Sequence, residues 1–390
     1  MRNPLSKTIE QIKPSGIRKF FDIVSEMPHA ISLGVGEPDF DTPWHVRSEG
    51  IRSLEKGRTF YTSNSGLIEL RQEICKWYQR KYNVLYDYKT EALLTVGGSE
   101  GIDVALRAML DPGDEVIIPE PCYVSYVPCV QLIGAVPVTI ELKNENQFRL
   151  TPEELLAAIT DKTKILILAF PSNPTGAVMT KEDLEPIAKI CQEKDIYVIS
   201  DEIYSELTYG GQKHCSISSL PGMKERTIVI NGFSKAYAMT GWRLGYALAP
   251  EVIAHQMTKI HQFAIMCAPT TSQYAAIEAI KNGDADIEKM CKSYDQRRRF
   301  LLKKFEEIGL PCFEPHGAFY VFPCIKEFGI TSDEFATRLL REEELVPGTA
   351  FGDCGEGFLR ISYAYSIEQL KEAMGRLERF IGRLREQKTC

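Results

Sequence analysis

The sequence predicts an α/β fold built on a mainly parallel sheet, and three observations carry that prediction. From Ala92 onward, short apolar runs alternate with helical segments. Seven such runs occur, at Ala92–Val96, Glu115–Ile118, Val136–Ile140, Lys164–Ala169, Ile196–Ser200, Thr227–Ile230 and Leu244–Leu248. Runs such as Ile165-Leu166-Ile167-Leu168-Ala169 mark core strands of a seven-stranded sheet flanked by helices. Finally, the connection from Ile230 to Leu244 is short for a crossover, so an antiparallel exception is expected near the end of the series.

Taken in order, residues 1–30 are polar and read as an arm or lid. Ile31–Phe40 follows as a short strand ending in the turn Gly34-Val35-Gly36. After the loop Tyr61–Gly66, helical periodicity covers Leu67–Tyr82. Thr151-Pro152-Glu153-Glu154 opens a helix with a capping box and a proline at the first helical position. Thr180-Lys181-Glu182-Asp183 opens the next. Past residue 284 the pattern changes to a long charged helix (about 285–308), a strand-like Ala318–Phe322, a helix Ser332–Glu343, a strand Phe358–Ser362 and a last helix from Ser366. The expected division is an arm (1–30), a large domain (31–283, its first residues contributing to the second domain) and a smaller α+β domain (284–390).

Composition narrows the function. The 390 residues are 44% hydrophobic and 25% charged, ordinary for a globular protein, and the net charge of −7 offers no basic footprint for nucleic acid. Arg297-Arg298-Arg299 reads as a solvated helix face. No apolar run reaches bilayer length and Met1–Lys7 lacks an apolar signal region, so a cytoplasmic protein is expected. The eleven cysteines contain no CxxC and the six histidines no HxxxH or HExxH spacing, which favours reduced thiols and no metal.

Ligands of open α/β sheets bind beyond the carboxyl ends of strands. Four such exits carry unusual polar residues. Thr95-Val96-Gly97-Gly98-Ser99-Glu100-Gly101 is strand, glycine turn and helix start, a place for phosphate on free amides. It matches neither GxGxxG nor the Walker pattern, so a nicotinamide-dependent oxidoreductase is a poor alternative. Pro171-Ser172-Asn173-Pro174-Thr175-Gly176 supplies an amide, and Ser200-Asp201-Glu202-Ile203-Tyr204 a carboxylate and a phenol. Gly232-Phe233-Ser234-Lys235 supplies an amine, with Arg243 eight positions on (243 − 235). Singly these are a turn, a cap and a surface lysine; together they are what pyridoxal phosphate needs.

With those motifs the chain resembles the fold-type I, class I aminotransferases dependent on pyridoxal phosphate, over nearly its whole length. It is close to the subgroup of aspartate, aromatic and N-acetyl-diaminopimelate aminotransferases. The resemblance implies Lys235 as the Schiff-base lysine and proton carrier, Asp201 as partner of the pyridinium nitrogen, and Asn173 and Tyr204 as donors to the phenolic oxygen. It implies that Gly98, Ser99 and Glu100 present backbone amides to phosphate, with Ser234 and Arg243 completing that site, and that Tyr123 stacks on the ring. Arg360, in Leu359-Arg360-Ile361-Ser362, matches the arginine that clamps the substrate carboxylate in a bidentate pair, and Gly36 a backbone contact to substrate. Tyr61 matches a tyrosine that reaches the neighbouring subunit's phosphate, implying a homodimer with shared sites.

Two departures stand out. Arg341–Gly348 is about two residues shorter than in relatives, and position 99, a lysine in some dicarboxylate-specific relatives, is Ser99. With Ile17 in the lid segment Pro14–Phe20, this leans toward aromatic or other bulky amino acids over aspartate, although Arg18 could reach an acidic group. The expected reaction is ping-pong transfer between an L-amino acid and a 2-oxo acid. A carbon–sulfur β-lyase on the same fold and a non-catalytic ligand-binding or regulatory protein are the alternatives.

Overall fold

A computed structural model of the chain describes residues 2–12, 27, 29–346 and 351–389. After a two-residue strand β1 (Ile31–Ser32), the seven apolar runs form one seven-stranded sheet. Its members are β2 (Ala92–Thr95), β3 (Glu115–Glu120), β4 (Val136–Glu141), β5 (Thr163–Ala169), β6 (Tyr197–Asp201), β7 (Thr227–Gly232) and β8 (Gly245–Leu248), in the order β2-β8-β7-β6-β5-β3-β4. Strand β8 is antiparallel to both neighbours, and every other pair is parallel. The expected exception is therefore present. Because β2 and β7 both oppose β8, β2 points the same way as the parallel strands. The carboxyl ends of β2, β3, β5, β6 and β7 share one edge of the sheet, where β8 begins.

The helices, in order, are α1 (Lys7–Gln11), α2 (Trp44–Glu55), α3 (Ile68–Tyr82), α4 (Gly97–Met109), α5 (Tyr126–Leu132), α6 (Pro152–Ala158), α7 (Lys181–Glu193), α8 (Glu251–Ala264), α9 (Thr270–Asn282) and α10 (Asp284–Ile308). Strand residues alternate between two apolar layers. Ile165, Ile167, Ile228 and Ile230 pack with Ile102 and Leu106 of α4 and Met257 of α8. Leu166, Leu168 and Val198 pack with Leu184 and Ile187 of α7 on the other side, while Val229 and Leu248 meet Ile74 and Tyr78 of α3 and Ile280 of α9. The expected capping box of Thr151 with Glu154 is present, and Thr180 with Asp183 forms a second at the start of α7. Helix α2 carries no apolar period to read, since its buried residues are Val46, Gly50 and Ser53.

A second core joins α10 and α12 (Ile367–Thr389) to two small ribbons. One ribbon pairs β9 (Tyr320–Val321) antiparallel with β11 (Ile361–Ser362); the other pairs β1 parallel with β10 (Leu345–Val346). Helix α11 (Ser332–Glu343) covers them. The assigned strands are shorter than the apolar runs suggest, although the β9·β11 register continues on both sides through Leu359 N–H to Pro323 C=O (3.1 Å) and Tyr363 N–H to Phe319 C=O (2.9 Å).

The arginine triplet of α10 is not a solvated face. Arg298 is 3% exposed and donates to Glu314 (2.6 Å), Asp295 (2.8 Å) and the Pro315 carbonyl (3.1 Å), and Arg297 donates to Asp39 (2.7 Å). Only Arg299 extends into solvent. The charge-run rule fails because α10 is packed on more than one side, so arginines on successive positions point into polar seams of the interior. The ten described cysteines are free thiols, and among the described residues no helix is long and apolar enough to cross a membrane. Ile17, Arg18 and the Pro347-Gly348 turn lie outside the described residues.

Candidate active site

The shared strand edge opens into a cavity of about 380 Å³. Its walls include Gly36, Gly98, Ser99, Tyr123, Asn173, Asp201, Tyr204, Ser234, Lys235, Arg243 and Arg360, so the fold brings together all but three of the residues singled out in the sequence. Ile17 is outside the described residues. Tyr61 sits on the surface, 80% exposed beside Phe60 at 81%. Glu100 does not line the cavity: its carboxylate accepts from the Val96 amide and lies 2.6 Å from Nδ1 of the buried His261.

One end of the cavity is built for an anion. Helix α4 starts at Gly97 with no side-chain cap, which leaves its first amides directed at the cavity mouth. Gly97 has φ +76°, and a Cβ there would come within 2.7 Å of Arg243 Nη2. A Cβ on Gly245 would come within 2.7 Å of the Gly97 carbonyl carbon. These absences of side chain let β8 close on the turn and bring the Arg243 guanidinium against the helix start. Arg243, itself at φ +53°, is steadied by donating to the Thr240 carbonyl (3.1 Å).

In the middle, Asp201 ends β6 with its Oδ2 accepting from Tyr126 (2.7 Å) and its Oδ1 from the Ile203 amide (3.2 Å). Burial pushes the Asp201 carboxyl up from its ordinary value, and these two hydrogen bonds pull against it. Lys235, leaving β7, donates to the Gly36 carbonyl (2.5 Å) with its ammonium near the faces of Tyr204 and Phe319. Enclosure in the protein, with Arg360 next in weight, lowers its pKa to about 8. Tyr204 is buried, with its hydroxyl 2.7 Å from that of Tyr320.

At the far end, Arg360 precedes β11 and is 3% exposed. It donates to Asn173 Oδ1 (2.8 Å) and to the Gly34 carbonyl, while its guanidinium lies 4.5 Å from the ring centres of both Tyr320 and Phe351. Its Nε is buried without a partner.

The two ends make like demands of what enters: each suits an anion, one at the start of α4 beside Arg243 and one at Arg360, on either side of a buried amine. A buried carboxylate between them suits a ring nitrogen that carries a proton. Pyridoxal phosphate with an amino acid meets every one of these demands, and fold and site together define a pyridoxal-phosphate-dependent enzyme of fold type I.

Comparison with known proteins narrows the class. Residues 28–377 match the family model described as aminotransferase class I and II. The aspartate aminotransferase of Pyrococcus abyssi is 47% identical over 388 residues, 98% of this chain and 99% of that one. The aromatic-amino-acid aminotransferase 2 of Thermococcus litoralis is 45% identical, covering 97% and 98%. The crystal structure of the aromatic aminotransferase from Pyrococcus horikoshii superposes with a TM-score of 0.90 at 45% identity, covering 96% of this chain and all of that one. The chain belongs to the class I and II aminotransferase family and is a pyridoxal-phosphate-dependent transaminase of amino and 2-oxo acids.

Three residues of the site escaped the sequence reading. Tyr126 and Tyr320 look like packing aromatics until the fold sets their hydroxyls against Asp201 and Tyr204. His261, seven positions past Ala254 on α8, shows its link to Glu100 only in space.

Proposed function

We propose that the protein moves an amino group between an aromatic or other bulky L-amino acid and a 2-oxo acid in two half-reactions at one site, as a cytoplasmic homodimer. One observation carries the reading: a lysine with its pKa lowered to about 8 shares a cavity with two arginines and a buried carboxylate. When bound, the cofactor supplies a sink for the electron pair left when the substrate's α-proton departs. Lys235 would hold the cofactor covalently, and its amine, when free, would carry that proton; a pKa near 8 suits accepting and returning it near neutrality. Asp201 keeps the ring nitrogen protonated. Asn173 gives its Oδ1 to Arg360, so its NH2 group remains to donate to the phenolic oxygen beside Tyr204. Ser234, Arg243 and the amides of Gly98, Ser99 and Glu100 hold the phosphate, Tyr123 covers the ring, and Gly36 and Arg360 bind the substrate. The exposed pair Phe60 and Tyr61 is apolar surface suited to burial by a second subunit, with Tyr61 reaching that subunit's phosphate. The chain divides into an arm (1–30), a large domain (31–283) and a small domain (284–390).

The preference for bulky side chains rests on charge. Among the described residues, the cations lining the cavity are Lys235, Arg243 and Arg360, each already given a task, and position 99 is a neutral serine. Aspartate is the second reading, favoured by the name of the Pyrococcus abyssi relative. A single-turnover screen of amino acids, followed by the absorbance of the bound cofactor, tests the choice. Tyrosine or phenylalanine should react at least tenfold faster than aspartate; the reverse order overturns the assignment. For the lysine, borohydride reduction and mass spectrometry should find the cofactor on Lys235 and none in Lys235→Ala.

A further inference from the structure

Tyr320 touches three parts of the site that arrive from distant segments. In the β9·β11 ribbon Tyr320 lies opposite Ser362, and Arg360 is two residues back from Ser362. The two-residue period puts Arg360 and Tyr320 on one face as diagonal neighbours, which is why the guanidinium rests 4.5 Å from the ring centre. The hydroxyl continues past the arginine to Tyr204, 2.7 Å away, at the exit of β6 in the other sheet. It also presses on the Gly34-Val35-Gly36 turn: a Cβ on Gly36 would lie 2.2 Å from it. Tyr320 is itself fully buried, at the wall of the cavity.

We propose that Tyr320 is a positioning residue that couples the substrate-carboxylate clamp to the cofactor-facing phenol. Its ring fixes the plane of Arg360, and its hydroxyl donates to Tyr204. The direction of that bond follows from the work assigned to Tyr204. A phenol that donates its own proton to the cofactor's phenolic oxygen has only its oxygen lone pairs left for Tyr320. The chain therefore runs one way, from Tyr320 to Tyr204 to the ligand. Each donor in such a chain strengthens the next. The proposal rests on the roles of Tyr204 and Arg360 given above.

The two halves separate experimentally. Tyr320→Phe keeps the ring and removes the donor. In the holoenzyme, the pH midpoint of the cofactor's absorbance titration should rise by about half a unit, with KM for the amino acid changed less than twofold. Tyr320→Leu removes both, and KM should also rise about tenfold as the ring face under Arg360 is lost. Should the leucine variant fail to melt cooperatively, the phenylalanine variant alone decides the matter. A midpoint within 0.2 unit of wild type (about the reading error of such a titration) in Tyr320→Phe overturns the proposal. Tyr204→Phe serves as the control. If it moves the midpoint and Tyr320→Phe does not, the coupling alone is wrong; if Tyr204→Phe leaves it in place, the role of Tyr204 falls and the coupling with it.

Discussion

Removing the Tyr126 hydroxyl should disturb the site more than its distance from the substrate suggests. Tyr126 is 2% exposed and donates to Asp201 Oδ2 at 2.7 Å, one of two hydrogen bonds that oppose the upward push of burial on that carboxyl. A buried hydrogen bond to a charged acceptor contributes about 1.5–3 kcal/mol. At 1.36 kcal/mol per unit, Tyr126→Phe should raise the Asp201 pKa by roughly 1–2 units. Because the folded value already exceeds the ordinary 3.8, the folded apoprotein holds this proton more tightly than the unfolded chain. The contribution of Asp201 to stability is greatest below 3.8 and falls as pH rises toward the folded value, and the variant extends that fall to higher pH. In the holoenzyme the same shift weakens the partner proposed for the ring nitrogen. The acid limb of the kcat/KM profile should move up by about one unit, and cofactor affinity at pH 7 should drop roughly tenfold. A limb and an affinity both unchanged in a folded Tyr126→Phe protein would refute this account of Asp201.

Other perturbations follow from the same geometry. Gly97→Ala must hold φ +76° and displace Arg243, so it should lose about 1–2 kcal/mol of stability and bind cofactor more weakly, both measurable by denaturant titration with and without pyridoxal phosphate. Arg298→Ala should cost about 2 kcal/mol by leaving the Pro315 carbonyl unpaired and the buried stem of the arginine unreplaced, since Glu314 is itself exposed, whereas the exposed Arg299→Ala should cost less than about 0.5 kcal/mol; comparing urea midpoints distinguishes them. Burial lowers the pKa of His45, but its hydrogen bonds with Asp286 and Glu278 (both 2.8 Å) outweigh that and leave it raised. Its contribution is complete below 6.5 and lost as pH rises through the folded value. Being partly exposed, the cluster is worth less than about 1 kcal/mol, and His45→Gln should flatten the decline in urea midpoint between about pH 6 and 8.

The large sheet was legible because each strand is an apolar run closed by a turn, and Ile230–Leu244 is too short to cross over. In the smaller domain the runs Ala318–Phe322 and Phe358–Ser362 were legible as strands, but the pairing of the small ribbons was not. Ile31 meets Leu345 and Tyr320 meets Ser362 across segments far apart in the chain, which no local pattern reports. The same contrast holds in the site. Gly98, Asn173, Asp201 and Lys235 stand at strand exits, where a polar residue is conspicuous. Tyr126 and Tyr320 are aromatics in apolar surroundings, and a phenol's use of its hydroxyl depends on what another segment brings to it. Arg297 and Arg298 misled because a basic triplet on a helix looks outward unless the helix is enclosed.

The bonds from Arg360 to Asn173 and to the Gly34 carbonyl have a consequence for how acids come and go. A carboxylate reaching this guanidinium meets one idle donor, the Nε; at the two terminal nitrogens it takes the place of, or shares with, acceptors the protein already provides. Arrival is thus an exchange, and its heat is the difference between two sets of hydrogen bonds rather than the whole of the new one. Such a clamp discriminates by shape and charge while holding only loosely. An enzyme that must release one oxo acid before admitting the next is well served by a grip that its own backbone is ready to resume.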